Sequence, residues 1–404
     1  MTQAFDGIRV ADFTQVLSGP VATYQLGLLG AEVIKIETPT GGDIARPMLD
    51  PTNFGKGELS PMFIGVNANK RSIAVDLKSP EGRAVVERIV ESADVLVQNF
   101  RPGVIERLGF DYERVKELRP DIVYCAISGY GTTGPKAQSA AFDGAVQAAS
   151  GLMASNGHAE TGPTRTGSPV VDVTSGMMAA FAVASALHRR AKTGEGQFLD
   201  VAMLDSAVSL LNPIYNDYLA TGREPELIGN LSLTRMPAAN VFPTANGWIQ
   251  ITVITASHMA ILFDVLGRRE VLEDPRFATE EGQVANRAAL HDIIVEALSG
   301  DDAPTWLARL RDAGLPVAPI ASLPDVLGEE QLQHRGLSHT LDAPANLDAQ
   351  NVTSITTGFV ADADGPKARL FAPRLGAHTD EILGELGFAP EDIAALRTSG
   401  VVAG

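Results

Sequence analysis

The chain has 404 residues, 45% apolar and 20% charged, enough to bury a large core and too apolar for a disordered or collagen-like protein. Lysine and arginine total 32 against 49 acidic residues, a net charge of −17, and no long basic run interrupts that background. Nonspecific binding to nucleic acid or to an anionic membrane surface is therefore not expected, and an anionic ligand would need a few well-placed cations.

The first half alternates short β-branched runs with helical stretches. The strand Ile8–Phe13 is followed by a helix at Val21–Leu29, closed by Gly30, and by the strand Glu32–Glu37. Next come a strand at Ser72–Asp76, a helix opened by Ser79-Pro80-Glu81, a strand at Val95–Gln98, a helix at Pro102–Leu108 and a strand at Ile122–Ser128. This alternation predicts a parallel α/β sheet. Ligands of such sheets bind at the carboxyl ends of the strands, here the loops 14–19, 38–43, 99–103 and 129–135. A long helix over Ser175–Lys192, a strand at Phe198–Ala202 and a helix at Leu204–Leu219 follow.

Thr221–Pro237 reads as a linker, because few apolar residues recur there. Beyond it, Val241–Val253 reads as a hairpin turning at Ala245-Asn246-Gly247, with helices at Met259–Leu266, Arg287–Leu298 and Thr305–Ala313. These form a second, smaller α/β unit. The tail from Val317 ends in helices at Thr379–Leu386 and Pro390–Thr398, and periodicity leaves open which unit it joins. The longest apolar helix candidate, Met177–Leu187, falls short of the roughly 20 residues of a membrane span. The N-terminus carries no signal pattern, and the single cysteine, Cys125, excludes an intrachain disulfide and reads as core. A cytoplasmic protein is expected.

The sequence holds no GxGxxG after a strand, no GxxxxGK[ST], no HExxH, GxSxG or CxxC, and its histidines lack metal-ligand spacing. What stands out is a series of local strings. They are Asp12-Phe13-Thr14, Ser18-Gly19-Pro20, the run Gly30 to Glu37, Gly41-Gly42-Asp43 with Arg46, Asn69-Lys70-Arg71-Ser72 and Asp76-Leu77-Lys78. Gln98-Asn99-Phe100-Arg101-Pro102-Gly103, Gly129-Tyr130-Gly131, the run Thr193 to Gln197, Val241 to Thr244, Gly314 to Val317 and Leu375 to Thr379 complete them. In that order they resemble the family III CoA-transferases, which include formyl-CoA and carnitine CoA-transferases, over nearly the whole chain.

The resemblance implies a fold: a large Rossmann-like domain built from both chain ends (1–222 and 321–404), a small α/β domain (223–320) and an interlocked, ring-like homodimer. It implies CoA thioesters and free carboxylic acids as substrates, with no permanently bound cofactor or metal. Asp172, in Ser168 to Gly176, matches the family's nucleophile; a carboxylate can exchange a thioester through a mixed anhydride. Spacing alone reads Asp172 as a cap for the Ser175 helix, whose backbone N–H groups would otherwise face the carboxylate or an oxyanion.

Val16, Val75, Lys78, Asn99, Phe100 and Arg107 match positions that bind CoA, although spacing alone makes Lys78 and Arg107 solvated and Phe100 core. Thr38 and Ala140 stand where formyl-CoA transferases carry an arginine and a lysine, so phosphate contacts at those points are either absent or replaced, with Arg46 and Arg71 as the candidates. Phe142-Asp143 replaces a Tyr-Glu pair, which turns the expectation from oxalate or formate towards a larger, partly apolar acid. Asp143 either orients the nucleophile or acceptor, or caps the helix from Gly144. Gln15 at its strand end is either a donor to an acyl oxygen or a solvated loop residue, Met177 and Met203 with Phe142 are expected as apolar lining, and His378 is assigned to capping or packing. A glycine-rich covering loop is missing; Gly229–Ala239 takes its place, with Arg235 either an acceptor ligand or a solvated cation.

Two other functions remain open. The related α-methylacyl-CoA racemases share most of these strings but need a proton-transferring histidine where this chain has Phe142. A non-catalytic acyl-CoA-binding protein would not need Asp172.

Overall fold

The structure, a computed structural model, describes residues 2–345, 347 and 349–404. The chain forms two compact units, one of residues up to Leu152 with Arg165–Arg223 and Gln333–Gly404, the other of Met153–Thr164 with Glu224–Leu332. Compared with a division at 222 and 320, the smaller unit runs on to Leu332 and takes in Met153–Thr164. That segment pairs Gly157–His158 with Gly162–Pro163, and His158 bridges to Ile228. Pairs of two residues are too short to leave a periodic signal.

The larger unit is α/β with a large, mostly parallel sheet. Its strands in chain order are β1 (Arg9–Asp12), β2 (Glu32–Glu37), β3 (Lys70–Val75), β4 (Val95–Gln98), β5 (Val123–Ser128) and β6 (Gln197–Ala202). They lie in the order β3-β2-β1-β4-β5-β6, all parallel, with Val402–Ala403 added antiparallel beside β3. The near-continuous apolar strands follow from helices covering both faces. Successive residues point to opposite sides, so Ala11, Ile34, Leu96 and Tyr124 join one core with the helix Pro80–Ser92. Val10, Val33, Val95, Val123 and Cys125 join the other, under the helices Ser18–Leu28 and Val170–Thr193. Burial pushes the Cys125 thiol up to about 12, with Asp200 adding to the shift, so it is structural.

The helix expected over Ser175–Lys192 begins five residues earlier, at Val170, and spans 24 residues. By length and composition it is long and apolar enough to cross a membrane, contrary to the expectation that none could. In the fold it is a core helix on one side, burying Val171, Ser175, Gly176, Ala179, Val183, Ala186 and Leu187. The helix expected over Leu204–Leu219 is two, Met203–Leu210 and Asn212–Thr221, because Pro213 supplies no N–H and starts a new one.

In the smaller unit the hairpin Ala239–Thr244 and Gly247–Thr252 turns at Ala245-Asn246, and Val317–Pro319 adds a third antiparallel strand. Phe242, Ile249 and Ile251 pack there against Phe263, Leu290 and Trp306. In the tail, His378 stands at the N-cap position of Thr379–Glu385 but makes no side-chain cap; its Nδ1 accepts the Ser72 N–H at 3.2 Å, which fastens the tail to β3.

Gly176 lets the two helices over the sheet touch. A Cβ there would stand 2.5 Å from the Ser18 carbonyl oxygen and 2.7 Å from the Val21 side chain. Gly176→Ala is therefore expected to destabilise the fold by about 1–3 kcal/mol, read as a lower urea midpoint at unchanged slope.

Candidate active site

β1 and β4 are neighbours whose following connections turn to opposite sides, and in such sheets the crevice opens beyond their carboxyl ends. A cavity of about 330 Å³ lies there. Its walls are Gln15–Ser18 after β1, Asn99–Pro102 after β4, Ile127–Gly129 at the end of β5, Ile44, Ala141, Phe142, Met203 and Asp172. A larger cavity of about 630 Å³ in the smaller unit is lined by His158, Glu160, Glu226, Arg287 and His291 among others. Volume does not make a reaction centre; the desolvated carboxylate is in the first cavity.

That carboxylate is Asp172, half-buried in the first turn of Val170–Thr193. Its carboxyl is pushed up to about 6, first by burial and second by the Asp143 charge, while the Ser18 side chain acts in the other direction. Asp172 does not cap a following helix, because the helix already contains it. The cap is made by Asp143 from another segment: its Oδ2 accepts the N–H groups of Val171 (2.8 Å) and Asp172 (3.2 Å). Its Oδ1 accepts from Gln147 Nε2 at 2.6 Å, and Gln147 Oε1 accepts the Thr166 N–H at 3.0 Å. Asp143 therefore does not cap its own helix, Asp143–Ala149, which has no side-chain cap. The N–H groups expected to face an oxyanion are spent on this carboxylate.

The cavity collects Gln15, Val16, Asn99, Phe100, Phe142 and Asp172 from the residues singled out in the sequence. Asn99 clamps Gln15, accepting its N–H and donating to its C=O, both at 2.8 Å. Asp143 lies directly behind, 8% exposed. Val75 is fully buried in the core, so it offers a ligand no side chain. Lys78 and Arg107 are exposed and lie outside the cavity walls. For Lys78 the reason is sheet order: β3 is two strands from β1, about 10 Å away.

Met203 lines the cavity, but Met177 does not; five residues beyond Asp172, it is turned about 140° round the helix and lies 47% exposed. Arg235 belongs to the smaller unit, has φ +61° and pairs with Glu226 at 3.3 Å.

Neither candidate arginine for the missing cations is free. Arg46 is 1% exposed, bonds Glu37 through Nη2 (2.6 Å) and Nε (2.8 Å), and lies over the Phe63 ring at 4.1 Å. Arg71 is held by Glu32, Glu381 and Glu385. Sequence reasoning missed Arg101, which is exposed, lines the cavity and makes no ion pair among the described residues. Its signal was its place, a cation in the loop just after β4 at the point where strand order reverses.

The raised Asp172 carboxyl has a sign for stability. Between its ordinary value of 3.8 and about 6, the folded state holds a proton that the unfolded state has lost, so stability falls as pH rises through that window. Asp172→Asn is expected to raise stability at pH 8 by about 1–2 kcal/mol, discounted for partial exposure, and to leave it unchanged at pH 4; thermal melts at the two pH values check this.

The model of CoA-transferase family III matches residues 5–379. The succinyl-CoA:glutarate CoA-transferase of Mus musculus is 35% identical over 98% of this chain and 90% of its own length. The succinate–glutarate CoA-transferase of Agrobacterium fabrum is 34% identical, covering 94% of this chain and 95% of its own. The crystal structure of a CAIB/BAIF family protein from Brucella suis superimposes with a TM-score of 0.86 at 33% identity, over 96% of this chain and all of that one. With this fold, this cavity and a match across nearly its whole length, the chain belongs to the family III CoA-transferases and is a CoA-transferase acting on CoA thioesters.

Proposed function

We propose that the enzyme moves CoA from an acyl-CoA donor to a free carboxylic acid by covalent catalysis at Asp172. The observation that carries this is a desolvated carboxylate whose backbone is clamped by Asp143 at the strand-order reversal. An Asp172 carboxylate oxygen attacks the thioester carbon, the C–S bond breaks, and CoA thiolate leaves an aspartyl-acyl anhydride. The thiolate attacks the Asp172 carbonyl, releasing the donor acid and leaving an aspartyl-CoA thioester. The acceptor carboxylate attacks that thioester, thiolate leaves again, and its return to the acceptor's carbonyl gives new acyl-CoA and free Asp172. The Gln15 side chain and the start of the Ser18 helix lie at the same wall to stabilise the oxyanions.

Val16, Asn99 and Phe100 hold the pantetheine side of CoA, Arg101 meets an anionic group, and Lys78 and Arg107 serve the nucleotide end; Val75, sealed in the core, takes no part. Succinyl-CoA is the proposed donor and a dicarboxylic acid of glutarate's size the proposed acceptor, following the relatives' activities. Phe142 and Ile44, 69% and 55% exposed, offer an apolar wall to a methylene chain. Phe142 also cannot move a proton at the position where the racemases need a histidine, which disfavours a racemase.

We read the protein further as an interlocked homodimer in the cytoplasm. Supporting this are the large apolar side chains left uncovered on the helices, with Phe181 at 69%, Leu210 at 45% and Leu219 at 75% exposure. A single buried thiol suits a reducing compartment. Native mass spectrometry is expected to give twice 42.6 kDa, with no monomer at micromolar concentration.

Incubation with succinyl-CoA and a pool of carboxylic acids, read by mass spectrometry of every CoA thioester, tests the reaction. New thioesters are expected with matching release of succinate, and none from Asp172→Ala although that variant still binds CoA. Turnover by Asp172→Ala, α-proton exchange in place of transfer, or CoA binding without transfer would each overturn the reading. Because only the carboxylate attacks, kcat/KM should fall about tenfold per pH unit below about 6.

A further inference from the structure

Four consecutive backbone groups beside the nucleophile are each bonded by a side chain from elsewhere in the unit. Lys35 Nζ donates to the Thr14 C=O at 2.9 Å, Asn99 takes both polar groups of Gln15, and the Val16 N–H donates to Asp43 Oδ1 at 3.0 Å. Val16 is held at φ +66°, a left-handed conformation that a β-branched residue adopts only when its surroundings impose it. Lys35 and Asp43 pair at 2.9 Å with both side chains at 0% exposure, and Asp43 Oδ1 also accepts the Ala45 N–H at 2.9 Å.

A sealed ion pair of this kind adds little net stability compared with apolar side chains of similar size. What this one holds is the cavity's edge: Gln15, Val16 and Ser18 on one side, Ile44 next to Asp43 on the other.

We infer that Lys35 and Asp43 are positioning residues, which lock the Gln15–Val16 turn in its strained conformation and thereby set Ser18 against Asp172. Neither touches the reacting atoms. Burial opposes both charges, but the groups around them together outweigh it, Lys35 with the Ala45 and Val16 N–H groups at Asp43, and Asp43 with Asp12 and Glu37 at Lys35: the Asp43 carboxyl is held below its usual range and the Lys35 ammonium above. The lock thus stays charged across the working pH. The groups acting on Asp172 are Asp143, which raises its carboxyl, and Ser18, which lowers it. Loosening the turn takes Ser18 away and leaves Asp143 in place. The inference rests on Asp172 being the nucleophile.

The test is the double variant Lys35→Met/Asp43→Ala, which removes both buried charges together, so leaving neither unpaired, and takes away the oxygen that accepts the Val16 N–H. Circular dichroism checks its fold. Expected are a loss in kcat of about tenfold or more and a shift of the acid limb of kcat/KM to higher pH. Adding Val16→Gly to the double variant should recover part of the lost rate, because glycine adopts positive φ without the side-chain penalty. A folded double variant with wild-type kcat and acid limb overturns the inference, as does a rate loss with an unmoved limb and no recovery on adding Val16→Gly. If the double variant does not fold, Asn99→Ala reads the same limb without disturbing the sealed pair, and an unmoved limb there overturns it too. Asp172→Ala run alongside keeps the two readings apart: turnover without Asp172 sinks the nucleophile, whereas an unmoved limb in the positioning variants with Asp172→Ala inactive sinks only the lock.

Discussion

The site depends on how two neighbouring carboxylates share one helix start. Two negative charges in a partly dry cavity repel, and here the two find unequal compensation. Asp143 finds it in the N–H groups of Val171 and Asp172, with Gln147 on its other oxygen. Asp172 has the Ser18 side chain as its one opposing influence, and its carboxyl is raised. The division of labour follows from which carboxylate holds the helix end: the capping group is fixed and the capped residue's side chain stands free towards the cavity.

Behind the cavity, charge is compensated inside the fold. Asp12 pairs with Lys70 at 3.0 Å, Asp43 with Lys35 at 2.9 Å and Glu37 with Arg46 at 2.6 Å, all with side-chain exposure of 2% or less. The acidic partners stand at or beyond the carboxyl ends of β1 and β2, where the loops leave the sheet. Thr14 is bonded to Asp12 through both its N–H (2.9 Å) and its hydroxyl (2.5 Å), so the turn that forms one cavity wall is fixed from its first residue. Unpaired, any of these charges would be costly to bury; paired, they turn loop backbone into rigid structure.

Much of the fold was legible because the strands bury both faces. Glu32–Glu37 and Val95–Gln98 match their expected bounds, as do the helices Arg287–Leu298 and Pro390–Thr398. Helix starts were harder where the cap comes from far away. Asp143 lies 29 residues before Asp172 in sequence, so no local pattern marks Val170 as helical. The same non-locality hid the engagement of Arg46 and Arg71: their strings advertise cations, but only the fold brings Glu37 and Glu385 against them. Arg101 shows the reverse, a residue inside a recognised string whose importance depends on the order of strands on either side of it.

The internal pairing of arginines also changes how the enzyme meets its substrates. CoA thioesters and carboxylic acids are anions approaching a chain of net charge −17, and two arginines near the sheet's edge have their charge already spent within the fold. Long-range attraction is then left to exposed cations such as Arg101, inside a net field that repels. Salt screens such a field over roughly 8–10 Å at physiological ionic strength. Ions that weaken most complexes between proteins and anions would here also lower the barrier to encounter, so capture becomes a short-range event governed by the cavity and not by steering from a distance.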